Sequence, residues 1–305
     1  MRAIASLVIN WHLTEACNFR CQYCYAKWDE NYSSTELARD LSQTERLLSA
    51  LYNYFTPTNT ANPLRKQMCW DTVRLSLAGG EPLLLQHRLP GLTRFAHALG
   101  FEVSLITNAS RLDRNMLAVL APHLTYLGIS LDSSYLETNR AIGRADCKGM
   151  MIDLEILAEE LAVVRTAYLQ LKLKLNTVVN KLNEAEDFSP LIARFMPDKW
   201  KILRMLPMIT NELSVSDDEF NAFVARHNRF ADILYPEDNQ AMRDSYLMID
   251  PHGRFFQNGQ RQIGEGYVYS RPILEVGVGN AFGDISFSPD LFCARYPQPT
   301  GSSAK

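Results

Sequence analysis

Strand-like and helix-like stretches alternate along the first two thirds of the chain, and this alternation constrains the fold more than any other feature. Residues 4–14, 73–78, 101–108, 124–132, 169–179 and 199–206 carry the period-two or apolar-run pattern of strands. Helical periodicity falls between them, over 36–54 (entered through Ser33, Ser34 and Thr35), 92–99, 113–120, 151–167 and 183–194. Six βα-type units imply a parallel sheet with right-handed crossovers, an α/β fold. Curling that sheet gives a partial barrel of six βα units, with ligands at the C-terminal ends of the strands. From about residue 212 the pattern changes. Residues 216–232 read as a helix, and 245–250 and 254–257 flank Pro251-His252-Gly253 as a hairpin. The expected division is a barrel over 1–210 and a C-terminal extension over 211–305 that closes the active site. The Pro/Gly/Ser-rich tail 296–305 is expected to be mobile, and 56–66 to be a polar loop.

Two motifs sit where such a barrel binds ligands. Behind the first strand, Cys17, Cys21 and Cys24 are spaced C-x3-C-x2-C. Three thiolates on one short loop can hold three irons of a four-iron, four-sulfur cluster and leave the fourth iron open. A zinc knuckle, with His12 as the one nearby fourth ligand, or three unrelated thiols remain alternatives. The second strand ends in Gly79-Gly80-Glu81-Pro82, where glycines let a ligand lie against the backbone and a carboxylate can accept from an ammonium. The other cysteines, Cys69, Cys147 and Cys293, are scattered singles, which fits a reducing cytosol better than a disulfide framework. With a net charge of −3 the chain has no global basic field to draw it to nucleic acid or membrane. No apolar run is long enough to span a bilayer.

An anionic ligand must then be held by local cations, and the strands provide them. Leu169, Leu171, Leu173 and Leu175 alternate with Gln170, Lys172, Lys174 and Asn176. If the leucines meet the outer helices, the lysines and Asn176 line the lumen, which is costly unless an anion binds there. Arg74 on the second strand, Lys199 and Lys201 on the sixth, and Asn10, His12 and Thr14 on the first add polar faces. An edge strand with its polar face in water is the alternative. Convergence across four strands favours a ligand with several charges, as a triphosphate has.

The cysteine and Gly-Gly-Glu-Pro motifs resemble those of radical S-adenosylmethionine (SAM) enzymes. Further runs narrow the resemblance to the viperin-like members: Asn10-Trp11-His12-Leu13-Thr14, Ile129-Ser130-Leu131-Asp132-Ser133, Ile142-Gly143-Arg144, Lys174-Leu175-Asn176, Lys199-Trp200-Lys201, Asn239 through Leu247, and Ile273 through Val278. The resemblance implies SAM and a [4Fe-4S] cluster on Cys17, Cys21 and Cys24 as cofactors. It implies a nucleoside triphosphate (CTP, UTP or GTP) dehydrated to its 3′-deoxy-3′,4′-didehydro analogue, a chain terminator of viral RNA synthesis. By position it implies SAM contacts from Gly79, Gly80, Glu81, Asn108, Ser130 and Arg144. Nucleotide contacts fall to Asn10, Arg74, Lys174, Asn176, Lys199, Lys201 and Arg295, and the catalytic candidates are Tyr246 and Lys174. Its expected setting is the cytoplasm, with an external reductant of flavodoxin or ferredoxin type and neither membrane nor nucleic acid as partner. Relative to eukaryotic viperin, the chain is expected to lack the N-terminal amphipathic helix and the terminal Trp, and Arg74 and Lys199 exchange Lys and Arg. A radical SAM enzyme acting on another phosphorylated small molecule or a peptide, or a non-catalytic zinc or nucleotide-binding protein, are the competing readings. The first usually has further C-terminal cysteines, and here Cys293 stands alone after residue 147.

Overall fold

The computed structural model describes residues 2–25, 35–208, 210–258 and 266–296. One sheet of ten strands organises them, in the order β10-β9-β8-β1-β2-β3-β4-β5-β6-β7. The strands are β1 Arg2–His12, β2 Met68–Ala78, β3 Glu102–Thr107, β4 Tyr126–Ser130, β5 Lys172–Val179, β6 Lys199–Arg204, β7 Leu234–Glu237, β8 Leu247–Ile249, β9 Arg254–Gln257 and β10 Val268–Pro272. Each neighbour from β1 through β7 is parallel, as the βα alternation predicts. The helices are α1 Leu41–Phe55, α2 Leu89–Leu99, α3 Arg114–Leu120, α4 Leu136–Ile142, α5 Leu154–Ala167, α6 Ser189–Phe195, α7 Asp217–Arg226, α8 Ile273–Val276, α9 Val278–Gly283 and α10 Pro289–Arg295.

The outward face of the sheet is apolar for the reason the sequence gives. Ile9 and Trp11, Leu75 and Leu77, Leu173 and Leu175, and Trp200 and Ile202 are two apart on their strands and fully buried against the helices. Leu47, Leu48, Leu51 and Phe55 of α1 are the matching helical stripe. Burying each such side chain contributes about 1.5–3 kcal/mol.

Several boundaries move for local reasons. Asp40, not the serines ahead of it, caps α1 by accepting from Gln43 N, and a 3-10 turn, Leu37–Arg39, precedes it. Ser33 and Ser34 lie outside the described residues. Leu169 is not in β5, which starts at Lys172, and is 86% exposed. The polar loop 56–66 folds back on the base of α1: the amides of Asn59 and Asn62 donate to Tyr54 O at 2.8 and 2.9 Å, and the Arg65 guanidinium lies 3.8 Å from the Trp70 ring centre. Ser216 and Glu219 form a capping box at the start of α7, where the acidic first turn predicts a helix.

The C-terminal residues do more than cover the barrel. β7 extends the parallel sheet past β6, while β8 runs parallel to β1 on the opposite side. The predicted hairpin forms as β8 and β9, and β10 adds a third antiparallel strand. The run from β8 to β7 curls without backbone closure, so the barrel is partial. Of the expected mobile tail, Tyr296 is placed, with its ring 5.1 Å from that of Phe292, and 297–305 lie outside the described residues.

Candidate active site

At the C-terminal end of β1 the chain turns into the cysteine loop, and the Gly-Gly-Glu run is its seat. Leu13 N donates to Ala78 O, Gly80 N to Thr14 O and Glu81 N to Ala16 O, each at 2.8 Å. A Cβ on Gly80 would stand 2.0 Å from Ala16 O, and one on Gly79, whose φ is +136°, 2.8 Å from Thr14 O. The glycines are thus required by the close approach of the cysteine loop itself, while their outer faces still line the cavity. On its other flank the loop docks on the end of α4: Arg20 N donates to Gly143 O and Gln22 N to Ile142 O, both at 3.0 Å. Buried Glu36 fixes the base, accepting from Thr14 Oγ1 at 2.8 Å and Glu15 N at 2.9 Å.

Held this way, Cys17, Cys21 and Cys24 line one wall of a single cavity that runs down the lumen. Phe19 N points at Cys17 Sγ at 3.4 Å, and the Asn108 amide approaches it at 3.9 Å. Burial raises the Cys17 thiol and pushes Cys21 up to about 12, an effect that the positive charge of a bound metal would oppose. Among the described residues no three His, Cys, Asp or Glu side chains are grouped to hold a single metal ion.

Beside the loop, Glu81 does not face the cavity. It is fully buried, and its carboxylate accepts from Thr107 Oγ1 at 2.6 Å, Leu83 N at 2.9 Å and Asn108 N at 2.7 Å. An ammonium partner is not what the structure gives it; it holds Asn108 in place. Asn108, Ser130 and Arg144 do line the cavity. Arg144 is buried, pairs with Asp132 at 2.5 Å and donates to Ser130 O. Burial opposes its charge, but Asp132 outweighs burial and keeps the guanidinium charged. Asp132 also accepts from Tyr23 Oη and from Val178 N, so the carboxylate braces the cysteine loop to β5.

Deeper in the lumen the wall turns cationic. Asn10, Arg74, Lys174, Asn176, Lys199 and Lys201 all line it, whereas Lys172, expected on the same face, is exposed at the start of β5 and lies outside the cavity. The register sets Lys174 opposite Lys199 and Asn176 opposite Lys201. Arg74, five residues before Gly79, stands about 16 Å down the strand from the cysteine end. It is held by Glu102 at 2.6 Å and lies 4.5 Å from the Tyr126 ring centre. Lys201 pairs with Glu237 at 2.7 Å and donates to Tyr246 Oη at 2.9 Å. Among the described residues the ion pairs of this wall take Arg74, Lys201 and Arg295, leaving Lys174 and Lys199 without a carboxylate. Burial lowers Lys174 to about 7, with Lys199, Arg74 and Arg295 adding to it against the pull of Glu237. Burial likewise lowers Lys199 to about 8, and its ammonium sits 3.7 Å from the Tyr235 ring centre. The Asn176 amide nitrogen is buried with no partner among the described residues.

Tyr246 lies just ahead of β8 and faces this wall, its hydroxyl donating to Glu237 at 2.5 Å. Burial and the charge of Glu237 raise the phenol, which stays protonated at neutral pH. Arg295 does not reach the cavity surface: it stacks behind Tyr246, 3.3 Å from the ring centre, and pairs with Glu237.

Residues 11–160 match the Radical SAM superfamily. An S-adenosylmethionine-dependent nucleotide dehydratase of Psychrobacter lutiphocae is 40% identical over 95% of this chain and 94% of its own length. One from Pseudoalteromonas ulvae is 41% identical over 97% and 94%. The chain belongs to the S-adenosylmethionine-dependent nucleotide dehydratases of the radical SAM superfamily.

The fold agrees. Native anSMEcpe with bound AdoMet and Cp18Cys peptide superposes with a TM-score of 0.62 over 95% of this chain and 82% of that one, at 13% identity. Streptococcus suis SuiB bound to S-adenosylmethionine also gives 0.62, over 95% and 67%, at 13% identity. The cofactors of this radical SAM dehydratase are the [4Fe-4S] cluster and SAM. Its residues fit them: three thiols on one wall, an N–H aimed at sulfur, and Asn108, Ser130 and Arg144 on the same end of the cavity. The carboxylates Glu102, Asp132 and Glu237, which organise the cations, were not assigned from sequence. Glu237 lies in Leu-Tyr-Pro-Glu, where Pro236 masks an edge strand. For Glu102, the available signal is that β3 begins in register with Arg74.

Proposed function

We propose that this dehydratase acts on a nucleoside triphosphate (CTP, UTP or GTP), giving the 3′-deoxy-3′,4′-didehydro analogue, in antiviral defence against phage. The observation that carries the choice of a triphosphate is the pair Lys174 and Lys199, two lysines of the lumen that have no carboxylate partner among the described residues. Burying them uncompensated is costly, and a polyphosphate offsets that cost with charge-assisted hydrogen bonds.

The bound cluster and SAM supply the species that takes the ribose 4′ hydrogen. The chain's residues do the rest. Gly79, Gly80, Asn108, Ser130 and Arg144 orient SAM at the cysteine end, with Glu81 holding Asn108 from behind. Arg74, Lys174, Lys199 and Lys201 anchor the phosphates, and Asn10 and Asn176 offer amides to the sugar end. From residues 211–305, Tyr246 joins the wall, held from behind by Glu237 and Arg295. Loss of the 3′ hydroxyl as water needs one proton, and Tyr246, bonded to Lys201, is placed to hold it. The electrons come from an external reductant of flavodoxin or ferredoxin type. Among the described residues no helix is long and apolar enough to cross a membrane, which is consistent with work in the cytoplasm.

The test is anaerobic incubation of cluster-loaded protein with SAM, reductant and each of the four ribonucleoside triphosphates in turn. The expected result is 5′-deoxyadenosine together with a nucleotide that has lost water. Cleavage of SAM with every nucleotide returned intact would sink the assignment of substrate.

A further inference from the structure

Glu237 lies directly behind the cavity wall, bonded to Lys201 and Tyr246, which line it. It closes β7, accepts from Lys201 at 2.7 Å and from the Tyr246 hydroxyl at 2.5 Å, and pairs with Arg295. Burial would raise its carboxyl, but the charges of Lys201 and Arg295 outweigh burial and hold it at about 2. Its position in the fold is equally specific. β7 is one end of the sheet's strand order, and its strand hydrogen bonds run to β6. Tyr246 immediately precedes β8, which sits beyond β1 on the other side. Among the described residues, side chains link β7 to the residue ahead of β8, with Glu237 at the centre and Arg295 of α10 behind.

Two anions cannot share these cations cheaply. Lys201 has three N–H donors, and two already point at Glu237 and Tyr246. A polyphosphate seated on Lys174 and Lys199 has Lys201 as its next cation along the wall, because Asn176 and Lys201 are the register pair one step up from Lys174 and Lys199. A second negatively charged group brought against a buried carboxylate is repelled unless one of them leaves.

We propose that Glu237 is a stand-in for a substrate phosphate, a resident anion that the incoming polyphosphate displaces from Lys201, freeing the Tyr246 hydroxyl as it goes. This rests on the triphosphate being held at the cationic wall. It makes Glu237 a positioning residue with an unusual sign: the carboxylate opposes binding while holding the empty site together. Nucleotide arrival and release of the phenol become one event.

The experiment is calorimetric titration of the cluster-loaded, full-length protein with inorganic tripolyphosphate at pH 6. Glu237→Gln, which keeps the shape and removes the charge, is expected to bind about tenfold more tightly than the unaltered protein, the size of one charge-assisted hydrogen bond no longer broken on binding. Equal or weaker binding by Glu237→Gln would show that the carboxylate merely holds the cations in place, and would overturn the proposal. A second readout does not depend on that variant folding. In the unaltered protein labelled with 3-fluorotyrosine, the fluorine resonance that disappears in Tyr246→Phe is expected to shift on adding tripolyphosphate. A resonance unmoved at saturation overturns the proposal. If tripolyphosphate does not bind the unaltered protein while SAM does, the phosphate site itself is misplaced and the stand-in role falls with it.

Discussion

Lys174 carries the clearest pH signature at the scale of single residues. Its ammonium is pushed down to about 7 by burial and by neighbouring cations, so in the free protein it loses its charge as pH rises through 7. A triphosphate favours the charged form and raises that value. Affinity is therefore expected to be full below about pH 7 and to fall by up to tenfold per pH unit above it. Calorimetry at pH 8 in buffers of different ionisation enthalpy checks this: proton uptake on binding is expected, and less of it in Lys174→Ala, where Lys199, lowered to about 8, is left to take up the proton. Lys174→Ala should keep its iron and its SAM affinity, and lose roughly tenfold to a hundredfold in nucleotide affinity. Tyr246→Phe is predicted to bind SAM and nucleotide nearly normally. It should still move deuterium from the 4′ position into 5′-deoxyadenosine, yet release little dehydrated product; a normal yield would return Tyr246 to core packing. Cys17, Cys21 and Cys24 line the cavity, whereas Cys69, Cys147 and Cys293 do not. Cys21→Ala should strip most of the iron and end SAM cleavage, and serine at each of the other three positions should leave both intact.

At the scale of elements, the cysteine loop depends on two glycine contacts more than on its own sequence. Gly80→Ala would drive a methyl group into Ala16 O, and Gly143→Ala, at a φ of +93°, into Arg20 O. Both obstacles are backbone, so the loop has to leave its seat. Each variant is expected to fold, by circular dichroism, but to take up less than half the iron of the unaltered protein. Full iron loading in Gly80→Ala would mean that the loop is held elsewhere. Here the sequence was informative about which residues matter and less so about why. The Gly-Gly run is legible as a site where backbone approaches closely, but whether ligand or loop makes the approach depends on contacts about sixty residues apart in the chain. β5 is legible because its period-two pattern puts leucines on one face and Lys174 and Asn176 on the other. β7 is not, because four residues containing Pro236 carry too little pattern, and with it Glu237 was lost from view. Arg295 was recognised by resemblance alone. Its place behind Tyr246, outside the cavity surface, depends on where α10 docks, which no local pattern states.

Across the whole molecule, the barrel and the residues after it share one sheet and the main apolar core. β8 covers the free side of β1, pairing with Ile9, Asn10 and Trp11, and β7 covers that of β6. Phe223, Phe255, Phe256 and Phe292, from residues beyond 211, are fully buried, and Phe223, Phe255 and Phe292 lie in the same cluster as Trp11 and Trp200. Removing residues 234–305 would take away Phe255, Phe256 and Phe292 and expose the surfaces they cover, along with both margins of the parallel sheet. At about 1.5–3 kcal/mol for each large side chain, the loss is comparable with the whole stability of an ordinary domain, about 5–15 kcal/mol. The unpaired strand edges would add an aggregation hazard. A chain ending at residue 233 is therefore predicted not to unfold cooperatively in urea, and the full-length protein to unfold in one transition that α-helical circular dichroism and tryptophan fluorescence report together. Trp11 and Trp200 make fluorescence a fair witness, since they sit on β1 and β6, the two strands that the C-terminal residues cover. A truncated chain with the same urea midpoint as the full-length protein would show instead that the barrel folds alone, and that the C-terminal strands are added to a finished structure.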